Sequence, residues 1–205
     1  MSKYKQLPPI RDFKKNGLWV KSYNPFPYAR QQTFAGILWH SVNRRTKGSQ
    51  SGTKTYQQCV NGFENFQVFA EWCQSQVGYC CTDEKGKIYQ LDKDILCKGN
   101  KVYSPDVCVF VPQAVNCLLQ VNRTPINGLP IGVSLATSGN YSVTLRRGCL
   151  KMKSVYKEFK SPEQAFLFYK EQKEKYVKEV ADFYRDQIDP RVYEALYKYE
   201  VSTND

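Results

Sequence analysis

Residues 161–188 read SPEQAFLFYKEQKEKYVKEVADFYRDQI, and this run limits the fold more than any other feature of the chain. Ser161 is a helix-capping residue, Pro162 suits the first helical position, and Gln164 completes a capping box. Ala165, Phe166, Tyr169, Tyr176 and Val180 recur along one side, so that face must be buried. Asp189-Pro190 ends the helix, and RVYEALYKY gives a short last one. Just upstream, IGVSLA, YSVTLR and SVYKEF are three strand-like runs joined by Ser-Gly-Asn and by RRGCLKMK. A three-stranded antiparallel sheet packed on the long helix covers both apolar faces at once. Along YSVTLR the period of two turns Tyr141, Val143 and Leu145 to the helix. Ser142, Thr144 and Arg146 then face the open side, with Ser134 and Ala136 beside them.

The upstream part alternates helix and strand signals. Residues 1–32 are rich in proline, aromatic and basic residues without a clean period, and read as an irregular basic arm. TFAGILWHSVNRR predicts a helix with Phe34, Ile37, Leu38 and Val42 on its apolar side. KGSQSGTK reads as a polar loop, and FENFQVFAEWCQSQ as a second helix burying Phe63, Phe66, Val68, Phe69 and Trp72. KIYQLDKDIL is a strand, KGNKVY a turn and VCVFV a second strand. Pro112 then opens a helix continued by Ala114, Val115, Leu118 and Leu119. NRTPINGLPIG is a turn-rich linker. The expectation is an α+β protein with an arm at 1–32, a strand-strand-helix domain at 33–121 and a sheet-and-helix domain at 122–205.

Charge points to a partner. The formal net charge is +11, and residues 1–60 hold eleven Lys or Arg against one acid, Asp12. Residues 161–205 reverse this, with ten acids against seven bases. A basic front and an acidic tail suit a surface that faces phosphates. No apolar run reaches the ~18–20 residues that cross a bilayer, and no apolar core follows the first lysines, so a cytoplasmic protein is expected. Eight cysteines without a C-x-x-C pair, and a single histidine, His40, favour buried thiols over zinc or disulfides.

Acid gathers at one place in the basic part, LDKDIL. Asp92 on the first strand and Asn116 on the following helix come close if strands and helix pack as a ββα unit. A carboxylate and an amide oxygen form a hard-oxygen pair suited to Mg²⁺ or Mn²⁺, which would stabilise the leaving oxygen of a phosphodiester. The plainer reading of the same residues is an Asx-rich turn next to a core strand.

The stretch LDKDIL…GNKVYSPDVCVFVP…N resembles the HNH (ββα-metal) module of phage-encoded homing endonucleases. The helical pattern from Tyr56 to Trp72, with Cys59, Val60, Phe63, Phe66 and Phe69, is similar to the same proteins. The resemblance implies that Asp92 and Asn116 bind the metal. It puts Lys93 where the family commonly has a histidine acting as base, and an ammonium cannot take a proton from water. His40 or Asp94 could serve instead, Lys93 could position a phosphate, or the site could bind without cleaving.

GVSLATSGNYSVTLRRG…SVYKEFKSPEQAFLFY is similar to the sheet-and-helix DNA-binding domain of plant ethylene-response factors. That resemblance implies a sheet entering the major groove of double-stranded DNA. Ser134, Ser142, Thr144, Arg146, Arg147, Lys151 and Lys153 would form the contact surface, with Arg146 on a guanine edge and the lysines on phosphates. Together the resemblances imply a sequence-preferring DNA endonuclease of phage type, homing or free-standing, that nicks or cuts with Mg²⁺ or Mn²⁺; a monomer is favoured, though the sequence does not fix the oligomeric state. The alternative is a catalytically degenerate DNA-binding protein of the same fold, acting as a regulator or counter-defence factor. RNA binding, through fifteen tyrosines and three tryptophans that can stack on bases, is a third reading.

Overall fold

The computed structural model describes residues 5–25, 29–47, 56–119 and 128–203, with the backbone alone at 5, 6 and 29. These form a mixed, α+β structure of five α-helices and several small sheets. The chain falls into two compact units, Met1–Val111 and Pro112–Asp205. Most of the polar loop expected at 47–54 and of the linker at 122–132 lies outside the described residues.

In the first unit the stretch read as an arm carries short strands wherever it is described. They are β1 (Lys5–Gln6), β2 (Lys14–Lys15), β3 (Leu18–Trp19), β4 (Ser22–Tyr23) and β5 (Ala29–Gln32). β5 lies between β1, which it pairs in parallel, and β4, antiparallel. β2 and β3 make a hairpin through Asn16 and Gly17, both at positive φ (51° and 76°), which is the backbone a two-residue type I′ turn requires. The hairpin docks on a helix further along the chain. Gln67 accepts from the Trp19 N–H (2.7 Å) and donates to its carbonyl (3.0 Å), while Glu71 accepts from the indole N–H (2.7 Å) and pairs with Lys14 (2.9 Å).

Helix α1 (Phe34–Thr46) begins at Thr33, whose hydroxyl accepts from the Gly36 N–H at 3.1 Å. Its buried positions are Ala35, Gly36 and Val42, whereas Ile37 is exposed. Of the expected face, Val42 is buried and Leu38 packs against the core, but the helix turns Ile37 outward and buries Ala35 and Gly36. Gly36 supplies the reason: a Cβ there would stand 2.1 Å from the Lys21 carbonyl oxygen, so the backbone around Lys21 presses against this turn and only glycine fits. Phe34, Ile37 and Leu38 instead line an apolar cavity of about 160 Å³, together with Pro9, Tyr79, Cys80, Ile88, Tyr89 and Phe110. Asp12 ties the front segment down. Its Oδ1 accepts from the Ala35 N–H (2.9 Å), and its Oδ2 from the Gln74 amide (3.0 Å) and the Tyr79 hydroxyl.

After β6 (Val60–Asn61) comes α2 (Phe66–Ser75), capped by Asn65, which accepts from the Gln67 and Val68 N–H groups. Phe63, Phe66 and Phe69 enter the core as expected, Trp72 packs against it half-buried and Val68 stays outside, while Ala70 and Cys73, not among the expected residues, are buried as well. The rings interlock, with Phe63 edge-on to Phe69 at 4.9 Å and Trp72 at 5.7 Å from Phe110. Each fully buried ring of this kind contributes about 1.5–3 kcal/mol. β7 (Gln90–Asp92) pairs antiparallel with β9 (Val109–Val111), and β8 (Val102–Tyr103) pairs in parallel with β6. All eight cysteines are thiols; Cys59, Cys73 and Cys108 are buried, while Cys80, Cys81, Cys97 and Cys117 are exposed.

The second unit opens with α3 (Gln113–Asn116), a single turn that stops before Leu118 and Leu119, where a longer helix is expected. β10 (Val133–Leu135), β11 (Tyr141–Leu145) and β12 (Val155–Phe159) form an antiparallel sheet in that order. It packs on α4 (Pro162–Tyr184), whose N-terminus is capped by the Ser161 hydroxyl accepting from the Gln164 N–H at 3.2 Å. Val133, Val143 and Ala165 are the buried centre of this contact, flanked by Tyr141, Phe159 and Tyr169. Gly132 lies so close to the Tyr169 ring that a Cβ would be 2.4 Å from it. Helix α5 (Pro190–Tyr197) folds back on α4, and both Tyr193 and Tyr197 donate to Asp182. Among the described residues no helix is long and apolar enough to cross a membrane.

Candidate functional site

The acidic turn is built as follows. Asp92, the last residue of β7, turns its carboxylate onto its own chain, and Oδ1 accepts from the N–H groups of Asp94 and Ile95, both at 2.7 Å. Lys93 is buried, 4% exposed. Its ammonium pairs with the Asp94 carboxylate, donates to the Asn100 carbonyl at 2.7 Å and lies 5.9 Å from the centre of the Tyr103 ring. Asn100 closes the loop, donating to the carbonyls of Lys93 and Val102 and accepting from the Val102 N–H. Burial pushes the Asp92 carboxyl above its usual range, against the two backbone N–H groups that pull it down.

This is the geometry of an Asx turn and of a buried ammonium paired with a half-exposed carboxylate. Asp94 answers the charge of Lys93, and Lys93 is too enclosed to reach a phosphate in the bulk. The donor set does not fit a divalent cation. One oxygen of Asp92 is already taken by two N–H groups, and the second carboxylate faces an ammonium. No group of three or more His, Cys, Asp or Glu side chains is placed to hold a metal ion among the described residues. Asn116, the other expected ligand, ends the one-turn α3 and belongs to the second unit, whereas Asp92 belongs to the first. The strand pair around Asp92 exists, but the helix expected to complete a ββα unit is four residues long. His40 is exposed on α1.

The sheet of the second unit gathers the other expected residues. Register aligns Ser134 with Ser142 and Ser142 with Glu158, and Thr144 with Tyr156. Neighbours across strands share a face, and Val143 is buried against α4, so these five side chains lie on the face away from the helix. Ser134 and Thr144 are exposed. Ser142 is on this face but buried, its hydroxyl donating to the Ser134 carbonyl at 3.2 Å, so it supports the sheet instead of presenting a donor outward.

Beyond β11 the chain forms a loop anchored on α4. Arg147 turns towards the helix, where its guanidinium pairs with Glu179 and lies 5.3 Å from the centre of the Tyr176 ring. The Cys149 N–H donates to the Tyr176 hydroxyl at 3.0 Å. Arg147, expected on the contact surface, is thus an anchor. Successive residues of an extended chain point to opposite sides, so Arg147 on the helix side goes with Arg146 on the other. Arg146, Lys151 and Lys153 are exposed, and Lys151 takes the left-handed conformation at φ 54° that closes the loop. Residues 146–160 hold six Lys or Arg against one acid, Glu158.

Glu158 and Tyr156 are the members of this face absent from the expected set. The alternation in VYKEF carries the signal for both, since Val155, Lys157 and Phe159 share one side and Tyr156 and Glu158 the other. Tyr156 donates to Glu158 Oε1 at 2.5 Å, while Ser138 and Asn140 donate to Oε2 at 2.7 and 2.9 Å. These bonds, that from Tyr156 first, hold the carboxyl down at about 2.

No protein-family model, no curated protein and no solved structure matches the chain.

Proposed function

We propose that this chain is a double-stranded DNA-binding protein related to the phage HNH homing endonucleases, in which the first unit serves as a scaffold and not as a nuclease. The open face of β10–β12 contacts base edges, and the loop after β11 contacts phosphates. One observation carries this reading: Arg147 and Cys149 fasten that loop to α4, so that Arg146, Lys151 and Lys153 stand exposed beside a face of small and polar side chains. A fixed row of cations next to a flat sheet suits a groove flanked by phosphates. The turn around Asp92 favours the non-catalytic form, because its carboxylates are engaged by backbone N–H groups and by Lys93.

The test is a gel shift on linear duplex beside supercoiled plasmid incubated with Mg²⁺ or Mn²⁺. A salt-sensitive complex without strand cleavage is expected. Lys153→Ala should weaken all duplexes alike and make the salt dependence shallower by about one unit of log–log slope. Arg146→Ala should relax preference between duplexes. Metal-dependent nicking that disappears in both Asp92→Asn and Asn116→Ala would return the chain to the enzymes.

A further inference from the structure

We infer that Glu158 is a base-selecting acceptor, taking a hydrogen bond from the exocyclic amino group of a cytosine in the major groove of bound DNA. This rests on the DNA-binding reading above. The register with Ser142 puts Glu158 on the face away from α4, in the middle strand-to-strand row of the sheet. An ionised carboxylate offers about four acceptor positions. Tyr156 fills one on Oε1, and Ser138 and Asn140 fill two on Oε2, which leaves one open on Oε1. Lys160 donates to the Asn140 side-chain oxygen at 3.0 Å, fixing that amide with its N–H₂ towards Glu158. The carboxylate is therefore rigid before any ligand arrives, and little side-chain entropy is lost on contact.

Charge and chemistry narrow what the open position can accept. Glu158 is the one acid among residues 146–160, so it repels phosphates on a surface whose other charges attract them. Among the base edges of the major groove, only an amino N–H can satisfy it. The major groove offers two, cytosine N4 and adenine N6, and adenine sets the acceptor N7 beside its amino group. A carboxylate facing adenine would meet that lone pair; facing cytosine it meets none. Cytosine is selected.

The experiment uses the full chain. Duplexes are selected from a random pool by wild type and by Glu158→Gln, and the wild-type consensus is resynthesised with pyrimidin-2-one, which lacks the amino group, at each cytosine in turn. Wild type should lose about 5- to 150-fold at one position on removing the amino group, the range of a good base contact. Glu158→Gln should shift that position from cytosine to adenine, because an amide can accept from N6 and donate to N7. If that variant does not fold, the wild-type measurement with pyrimidin-2-one decides alone. Equal wild-type binding at every substituted cytosine, or an unchanged preference in a folded Glu158→Gln, overturns the inference and leaves the DNA-binding reading standing. Failure of wild type to shift any duplex overturns both.

Discussion

Replacing Asp92 by asparagine separates the two jobs a carboxylate can do at the end of β7. In the turn, a single oxygen accepts two backbone N–H groups at 2.7 Å. Asparagine keeps an oxygen in that place and drops the charge; alanine drops both. Loss of a side-chain acceptor that caps backbone N–H groups costs about 1 kcal/mol, and buried N–H groups left without a partner cost about 1–3 kcal/mol. Asp92→Ala should therefore lose about 1–3 kcal/mol. For Asp92→Asn the sign is the opposite. Burial raises the folded-state pKa of Asp92, so its favourable contribution is complete below the ordinary value of ~3.9 and is lost as pH rises through the folded value. At pH 7 the ionised form is the one the fold tolerates less, and the neutral amide escapes that penalty. Urea melts at pH 7 should show Asp92→Asn at least as stable as wild type, with any advantage shrinking below pH ~4. Added Mg²⁺ should leave the wild-type midpoint in place, since only a ligand of the folded state raises it. An asparagine variant as damaged as the alanine variant, or a wild-type midpoint that rises with Mg²⁺ while the asparagine midpoint does not, would refute the turn reading.

Two glycines of the second unit form a matched pair. Gly132 and Gly139 both have positive φ, 78° and 83°, but a Cβ on Gly132 meets the Tyr169 ring at 2.4 Å and one on Gly139 meets nothing within 4 Å. Gly139→Ala should cost about 1 kcal/mol and Gly132→Ala several times as much, read from thermal melts. In the first unit, Asp12→Ala removes three acceptor contacts, to Ala35, Gln74 and Tyr79, and should lose about 2–3 kcal/mol. The Ala35 amide should then exchange with deuterium faster than in wild type.

The second unit is legible in the sequence because its signals are local and agree with one another. Alternation in YSVTLR and VYKEF and the Ser161-Pro162 start each specify the element that forms, whereas α4 ends at Tyr184, short of Asp189-Pro190, which instead caps and opens α5. The front of the chain is not legible in the same way, since strands of two residues have no period to read. Its one local signal is Asn16-Gly17, the dipeptide of a type I′ hairpin. Helix α1 is visible, but its buried face is set by a distant carbonyl, that of Lys21 against Gly36, which no periodicity encodes. The acidic stretch fails for another reason. Aspartate serves both as a metal ligand and as a turn former, and only the partners of its oxygens tell the two apart. A buried Lys93 explains why acid collects there in a basic protein: Asp94 neutralises a cation that the loop encloses. On the open sheet, serine and threonine draw the eye to small side chains, whereas Glu158 emerges from the alternation in VYKEF once that strand is aligned with Ser142.

The distribution of thiols turns the first unit into its own reporter. Cys73 and Cys108 sit in its core, where burial raises both thiols, Cys108 to about 12, and so suppresses the reactive thiolate. Cys81 and Cys97 are exposed on the same unit and open to alkylation at once. A brief pulse of maleimide, counted by mass, would therefore register each transient opening as a step beyond the fast-labelling set, with no dye or engineered probe attached.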